Sequence, residues 1–270
     1  MTVIEPPPAP GCIFCGRSPL TKEHIWADWL EPYLPKGAEE YSVLKVRTFL
    51  DRSEFKQSVR PHDIHQWQVR CVCAGCNNGW MSQLQCEAKD VVVRLLRGEK
   101  FALTADDQRK VAAWIAMAVM AGDAGDRKAR AVASSDCEFL LGTKGPPLNW
   151  RIAIGDFERG EWRGHWIRHP FRLVDELPPD GDRTVSEYNA QFVTFVTGRL
   201  FANITALPPG TQYMHVAAQP EAEQKMRQIW PPARGRIDWP PRALNGGNAD
   251  AIAGAGINHL TRVHRAIARQ

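Results

Sequence analysis

Apolar residues recur with a helical period over two stretches of the chain. In the first stretch they are spaced by three or four residues: Met81, Leu84, Ala88, Val91 and Leu95. This spacing predicts one buried face on a helix over residues 77–97, and Gly98 is expected to end it. A second, more apolar helix is predicted to begin after Thr104, with Asp107 in its first turn, and to end near Gly122.

Alternation of apolar and polar residues predicts strands elsewhere. Residues 41–60 alternate partly on both sides of a short polar turn, which is typical of a β-hairpin, and residues 66–71 predict a further strand. More elements are predicted in the second half: strands within 149–174 and 189–217, and helices within 221–230 and after Asn245. The pattern therefore predicts an α+β protein, with a mainly antiparallel sheet after a boundary near residues 98–103.

The composition is that of a globular protein outside the membrane. Apolar residues make up 44% and charged residues 24% of the chain, which is ordinary for a globular protein. No apolar run approaches the roughly 20 residues that span a bilayer. Residues 1–11 lack the basic and apolar regions of a signal peptide. We therefore expect a cytoplasmic protein without membrane contact.

Four of the seven cysteines form two Cys-x-x-Cys pairs, Cys12 with Cys15 and Cys73 with Cys76. Each pair can chelate one ion from a tight turn, and together they supply the tetrahedral ligand set of a structural zinc (Zn²⁺) site. In a chain that lacks a secretory signal, this pattern favours a metal over disulfides. Cys71 is an alternative ligand next to Cys73, but the matched spacing favours Cys73 with Cys76.

A second motif lies between the cysteine pairs. The chain reads, in order, Cys12-x-x-Cys15, Glu23-His24-Ile25 and Cys73-x-x-Cys76-Asn77. This order resembles the HNH (ββα-metal) endonucleases, and more narrowly those whose nuclease motif lies within a zinc-bound treble clef. The resemblance covers about residues 11–97. It implies an HNH-like, zinc-stabilised ββα-metal domain over residues 1–100, followed by an α+β domain of unknown role over residues 101–270.

The resemblance also implies roles for individual residues. In the family, a histidine on the first strand is the general base, and the residue before it and one at the helix start hold a divalent ion. By position, His24 is the base, and Glu23 and Asn77 hold a catalytic Mg²⁺ or Mn²⁺. Oxygen ligands suit such a hard cation. At the position of the family's middle asparagine, Gln68 is the nearest polar residue.

The implied function is a metal-dependent endonuclease that hydrolyses phosphodiester bonds of DNA and uses no small organic cofactor. A net charge of +4 does not by itself require a nucleic acid. Five basic residues between the motifs are expected to contact DNA phosphates, with a solvated face as the alternative: Lys45, Arg47, Arg52, Lys56 and Arg60. Two other functions stay open, an RNA-cleaving nuclease and a non-catalytic zinc module that binds nucleic acid or protein.

Overall fold

The structure is a computed structural model that describes residues 11–33, 67–158, 166–173, 188–208, 211, 220–232 and 235–255, together with the backbone of strands 40–48 and 53–61. In the first part of the chain its elements are β1 (Leu20–His24), a 3₁₀ helix (Asp28–Tyr33), β2 (Glu40–Thr48), β3 (Ser53–Pro61), β4 (Gln68–Cys73), α1 (Ala74–Cys76), a π-helical turn (Asn77–Met81) and α2 (Ser82–Arg97).

The second part of the chain alternates helices and strands. Its elements are β5 (Phe101–Leu103), α3 (Ala105–Ala124), α4 (Ser134–Thr143), β6 (Trp150–Asp156), β7 (Trp166–Phe171), β8 (Ala190–Thr197), β9 (Leu200–Ala206), α5 (Pro220–Glu223), β10 (Met226–Trp230) and β11 (Ile237–Trp239). Residues 246–255 are helical. Among the residues that the structure describes, no helix has the length and apolar character needed to cross a membrane.

A seven-stranded sheet in the order β10-β6-β9-β8-β7-β2-β3 lies at the centre of the fold. Its neighbouring strands are antiparallel, except that β2 runs parallel to β7. Every residue of β7 and β8 is buried, so both faces of the sheet are covered at these strands. The prediction of an α+β protein with a mainly antiparallel sheet is confirmed.

The first hundred residues share this sheet and its core with the rest of the chain. Strands β2 and β3 extend the sheet beyond β7. Trp26 packs edge-on against Trp166 and Phe195, with ring centroids 5.7 and 5.1 Å apart. One hydrophobic cluster accordingly contains residues from both sides of residue 100. Shared packing does not measure whether the two parts of the chain fold independently. The predicted domain boundary at residue 100 therefore stays a prediction.

The two predicted amphipathic helices are present, and their ends follow local chemistry. Helix α2 buries the predicted apolar face and ends at Gly98, whose φ of 67° is left-handed and suits glycine. Helix α3 begins with a capping box, in which Thr104 and Asp107 each bond the other's backbone N–H. The helix predicted over residues 221–230 is wrong for its second half. Met226–Trp230 form β10, because pairing with β6 buries Ile229 and Trp230 there.

A buried ion pair joins α3 to β7. Asp123 and Arg168 are 1% and 3% exposed, and the Arg168 guanidinium donates through Nη2 to the Asp123 carboxylate. The same carboxylate accepts the backbone N–H of Ala131 at 2.9 Å, and Arg168 Nε donates to Gln191 Oε1 at 2.6 Å. Each charge is therefore compensated by fixed partners, as buried charges require.

Asp123→Ala is expected to lower the free energy of unfolding by about 3–5 kcal/mol, because it removes the closest ion-pair partner of the buried Arg168 and leaves only the more distant Asp126 among the described residues. Asp106→Ala, in the same helix, is the matched control, since the exposed ion pairs of Asp106 contribute less than about 1 kcal/mol. Urea denaturation of the two variants measures both changes. Equal, small losses of stability would contradict the structural role of the buried pair.

Candidate functional site

Four cysteines meet where the turn before β1 contacts the junction of β4 and α1. The turn is closed by a bond from Gly16 N to Cys12 O, and Ile13 N bonds Cys71 O of β4. The Sγ atoms of the four cysteines all lie within 4.8 Å of one another: Cys12, Cys15, Cys73 and Cys76. Cys15 Sγ and Cys73 Sγ are 3.5 Å apart. Tetrahedral Zn–S bonds of roughly 2.3 Å imply S–S distances of about 3.8 Å, so this cluster is compatible with a structural zinc.

Cys71 does not belong to the cluster. Its thiol is 3% exposed, and burial, together with the charges of Glu23 and Cys12, raises its pKa to about 12. The backbone N–H of Cys76 instead lowers the pKa of Cys73 to about 7. Burial raises the pKa of the cluster cysteine Cys76 to about 12 as well, so geometry decides between Cys73 and Cys71: Cys73, and not Cys71, belongs to the group whose Sγ atoms lie within 4.8 Å of one another. The structure therefore favours Cys73, paired with Cys76, as the ligand, in agreement with the matched Cys-x-x-Cys spacing.

His24 lies at the end of β1, directly opposite Gln68 of β4 in the antiparallel register. The side-chain amide of Gln68 contacts His24 Nε2. On the other side of the ring, Nδ1 is 3.4 Å from Oδ1 of Asp28, whose side chain is 85% exposed. The imidazole is thus held by strand β4 at Nε2, while Nδ1 faces a carboxylate at the surface.

Glu23 precedes His24 and points into the protein, with only 6% of the residue exposed. Gln85 of α2 donates to Glu23 Oε1 at 3.3 Å. Burial and, to a lesser degree, the negative charge of Asp28 raise the pKa of Glu23 to about 7, although the side chains of Gln85 and Asn77 oppose the shift. Among the described side chains, no lysine or arginine forms an ion pair with this carboxyl group. Near neutral pH a bound cation would therefore compete with a proton for Glu23.

Asn77 is the first residue of the π-helical turn and directly follows the cluster cysteine Cys76. Its Nδ2 donates to Lys22 O at 3.2 Å and to Thr21 Oγ1 at 3.3 Å. Its amide also lies close enough to Glu23 to lower the pKa of that carboxyl group. The structure therefore brings Glu23 and Asn77 together, with His24 adjacent to Glu23 on the same strand.

Two partners of this site, Asp28 and Gln85, have no motif in the sequence. Asp28 lies four residues after His24. This spacing predicts a contact between the two side chains only if the residues between them form a helical turn, which the sequence did not indicate. Gln85 lies 62 residues after Glu23 and reaches it because α2 packs beside β1. Gln68, named from the sequence only as the nearest polar residue, is the direct partner of His24.

The predicted basic segment is described only in part. The backbone register of the β2–β3 hairpin pairs Lys45 with Lys56, Arg47 with Glu54 and Tyr41 with Arg60. This confirms the predicted hairpin. Arg52, and the side chains of the other four basic residues, lie outside the described part of the chain, so their contact with DNA stays a prediction.

Comparison of the chain with protein-family models, with curated proteins and with solved structures finds no match. The residues of the site and their geometry therefore carry the inference about function.

Proposed function

We propose that this protein is a metal-dependent endonuclease of the HNH (ββα-metal) type that hydrolyses phosphodiester bonds of DNA. The observation that supports it most is the arrangement around Glu23. A buried carboxyl group without a cationic partner in the described structure lies beside Asn77 and adjoins His24, next to a four-cysteine cluster. Buried ionisable groups of this kind are concentrated at functional sites.

The order of elements supports the same class. Strands β1 and β4 pair antiparallel, and the helical run that starts at Ala74 follows β4 without a break. The cysteine cluster joins the turn before β1 to the start of that run. A zinc ion in this cluster would hold His24 on its strand and Asn77 on its helix in a fixed relation, as in a zinc-bound treble clef.

In this proposal His24 accepts the proton of the attacking water at Nδ1. That role requires the tautomer with its proton on Nε2, and Gln68 can accept the hydrogen bond from this N–H when its amide is turned so that the oxygen faces the ring. The Asp28 carboxylate, 3.4 Å from Nδ1, would stabilise the imidazolium that forms. A neutral imidazole accepts a proton through its unprotonated ring nitrogen, which makes histidine the most frequent general base.

Glu23 and Asn77 would hold the catalytic ion. Their donor set, one carboxylate and one amide oxygen, fits Mg²⁺ or Mn²⁺ better than a softer metal. To offer Oδ1 to the ion, the Asn77 amide would give up its bonds to Lys22 O and Thr21 Oγ1, and metal binding would have to offset that loss. When bound, a divalent ion neutralises charge on the scissile phosphate and the leaving oxygen. A cation also removes the cost of ionising the buried Glu23.

One observation favours a second candidate, a non-catalytic zinc module. The hydrogen bonds from Asn77 to Lys22 O and Thr21 Oγ1 give its side chain a structural use at the junction of helix and strand. In such a module Asn77 would contribute to stability and would have no effect on the binding of a divalent ion. An RNA substrate is compatible with the same catalytic groups, because none of them identifies the sugar.

The Asn77→Ala variant separates these candidates. We expect it to raise the Mg²⁺ concentration needed for half-maximal DNA cleavage by about 10-fold or more, since changes even beside a metal ligand weaken binding by roughly 10–100-fold. Excess Mg²⁺ or Mn²⁺ should partly restore the rate. Asn78→Ala, at the exposed next position, is the matched control and should leave the metal dependence unchanged. A rate for Asn77→Ala that does not respond to metal, in folded protein with its zinc, would contradict the ligand role.

A further inference from the structure

The outer face of the two-stranded β1–β4 sheet carries two opposed positive charges beside the proposed general base. In the antiparallel register, Lys22 lies opposite Arg70, and His24 lies opposite Gln68. Residues two apart on one strand share a face and are separated by about 6.6 Å. Lys22 and Arg70 are exposed, and the residues that separate them from His24 and Gln68 are buried. The two cations therefore lie one strand repeat away from the His24–Gln68 pair, on the same face.

The Lys22–Arg70 pair gives the fold no electrostatic benefit. Like charges directly opposite each other on neighbouring strands are destabilising. No carboxylate of the described residues forms an ion pair with either side chain. Arg70 Nη1 donates to Leu20 O at 2.8 Å, which restricts the guanidinium group but uses only one of its five N–H donors. An anion bound between these side chains would compensate both charges.

A third cation lies at the cleft next to this face. The cleft has a volume of about 260 Å³, and its lining includes Gln68 and Arg70 of β4 and Arg127 in the turn after α3. Arg127 is exposed and has no ion-pair partner among the described residues. Asp126 is the one acidic residue among the described lining residues, and its Oδ2 lies 3.6 Å from Nη1 of the buried Arg168. The charge of Asp126 is thus compensated within the protein, and the exposed part of the lining is positive.

The sugar–phosphate backbone of a nucleic acid matches this arrangement of charges. It carries one negative phosphate per nucleotide, so neighbouring cations can each contact a phosphate of the same strand. Arginine and lysine both donate to phosphate oxygens, and such contacts fix the position of the nucleic acid without reading its sequence. An acidic peptide is the other polyanion to consider. The position of the cations beside His24, the proposed base in phosphodiester hydrolysis, favours the nucleic acid.

We propose that Lys22, Arg70 and Arg127 form a phosphate track that holds the substrate backbone next to the bond presented to His24. The inference rests on the proposed nuclease function and identifies the surface on which its substrate lies. The three cations bind phosphates that neighbour the scissile one, and they take no part in proton transfer. The phosphate track is separate from the basic residues of the β2–β3 hairpin.

The salt dependence of DNA binding tests the proposal. Zinc-loaded full-length protein, without added Mg²⁺, is titrated into a fluorescently labelled duplex of mixed sequence at several salt concentrations. Lys22→Gln, Arg70→Gln and Arg127→Gln should each reduce the slope of log K against log salt by about 0.9, the contribution of one phosphate contact in duplex DNA. A triple variant that keeps its zinc and the wild-type slope would overturn the proposal, as would a wild-type protein that does not bind the duplex.

Two further variants separate a direct contact from an indirect effect. Lys100→Gln is the matched control, because Lys100 is exposed but follows the far end of α2. This helix of 16 residues, about 24 Å long, separates Lys100 from the turn in which Asn77 bonds Lys22 O. The slope should not change. Arg70→Lys keeps the charge and should keep the slope, whereas a slope reduced as in Arg70→Gln would overturn the role of Arg70 as a phosphate ligand.

Two comparisons distinguish this proposal from its alternatives. Binding of poly-glutamate as tightly as a duplex of equal charge would indicate a site for acidic proteins and overturn the assignment to nucleic acid. Cleavage of plasmid DNA with Mg²⁺, together with unchanged slopes in the three variants, would overturn only the phosphate track. Reduced slopes in a protein that never cleaves would overturn only the nuclease.

Discussion

Cys73→Ser is expected to abolish zinc binding and to destabilise the protein more than Asp123→Ala does. The serine hydroxyl does not supply the thiolate that completes the four-cysteine cluster. Binding of structural zinc contributes on the order of 10 kcal/mol to the folding of small zinc domains, and most of that contribution should be lost. Elemental analysis of the purified variant and its thermal unfolding curve measure the two effects.

Cys71→Ser is the matched control, because Cys71 is equally buried on the same strand but lies outside the cluster. It should keep about one zinc per chain, as a single tetrahedral site requires, with a modest loss of stability from burying a hydroxyl. Chelation of zinc from the wild type should reproduce the unfolding seen with Cys73→Ser. The assignment of the four ligands is wrong if Cys71→Ser loses zinc, or if Cys73→Ser retains it.

His24→Ala is expected to reduce the rate of DNA cleavage by roughly 10²–10⁴, the range for the loss of a general base. The residue is partly exposed, and its polar side-chain contacts within the described part of the chain are with Gln68 and Asp28, so the fold and the zinc content should be preserved. Excess Mg²⁺ or Mn²⁺ should not restore the rate, because an ion does not replace the missing proton acceptor. Single-turnover cleavage at several metal concentrations measures this directly.

Glu31→Ala is a suitable control for His24→Ala, because Glu31 is an exposed residue of the adjacent 3₁₀ helix. It should leave the cleavage rate unchanged. DNA affinity, measured without Mg²⁺, should be similar for the wild type and both variants. A His24→Ala protein that loses affinity or zinc in parallel with its rate would show that His24 has a structural role.

The cysteine cluster and the ends of the helices were predictable from the sequence because each depends on local chemistry. A Cys-x-x-Cys spacing is set by the geometry of metal chelation, and the two pairs do meet. Gly98 and the Thr104–Asp107 capping box end and begin helices through contacts within a few residues. Such features need no knowledge of the rest of the fold.

The features that were missed depend on contacts between distant residues. The helical pattern of residues 221–230 gave no sign that β6 would pair with Met226–Trp230. The partnership of Gln68 with His24 depends on the register of β1 and β4, which shifts at a bulge between Thr21 and Lys22. A shift of one residue reverses which side chains share a face, so position in the sequence could only suggest Gln68.

Cleavage of supercoiled plasmid by zinc-loaded wild-type protein is the decisive measurement for the proposed nuclease. With Mg²⁺ or Mn²⁺ added, we expect conversion of the plasmid to nicked and linear forms, and without either ion we expect none. The protein must retain its zinc throughout, so the divalent ion is omitted rather than chelated. Folded protein with one zinc per chain that leaves the DNA intact at every Mg²⁺ and Mn²⁺ concentration would contradict a metal-dependent DNA endonuclease.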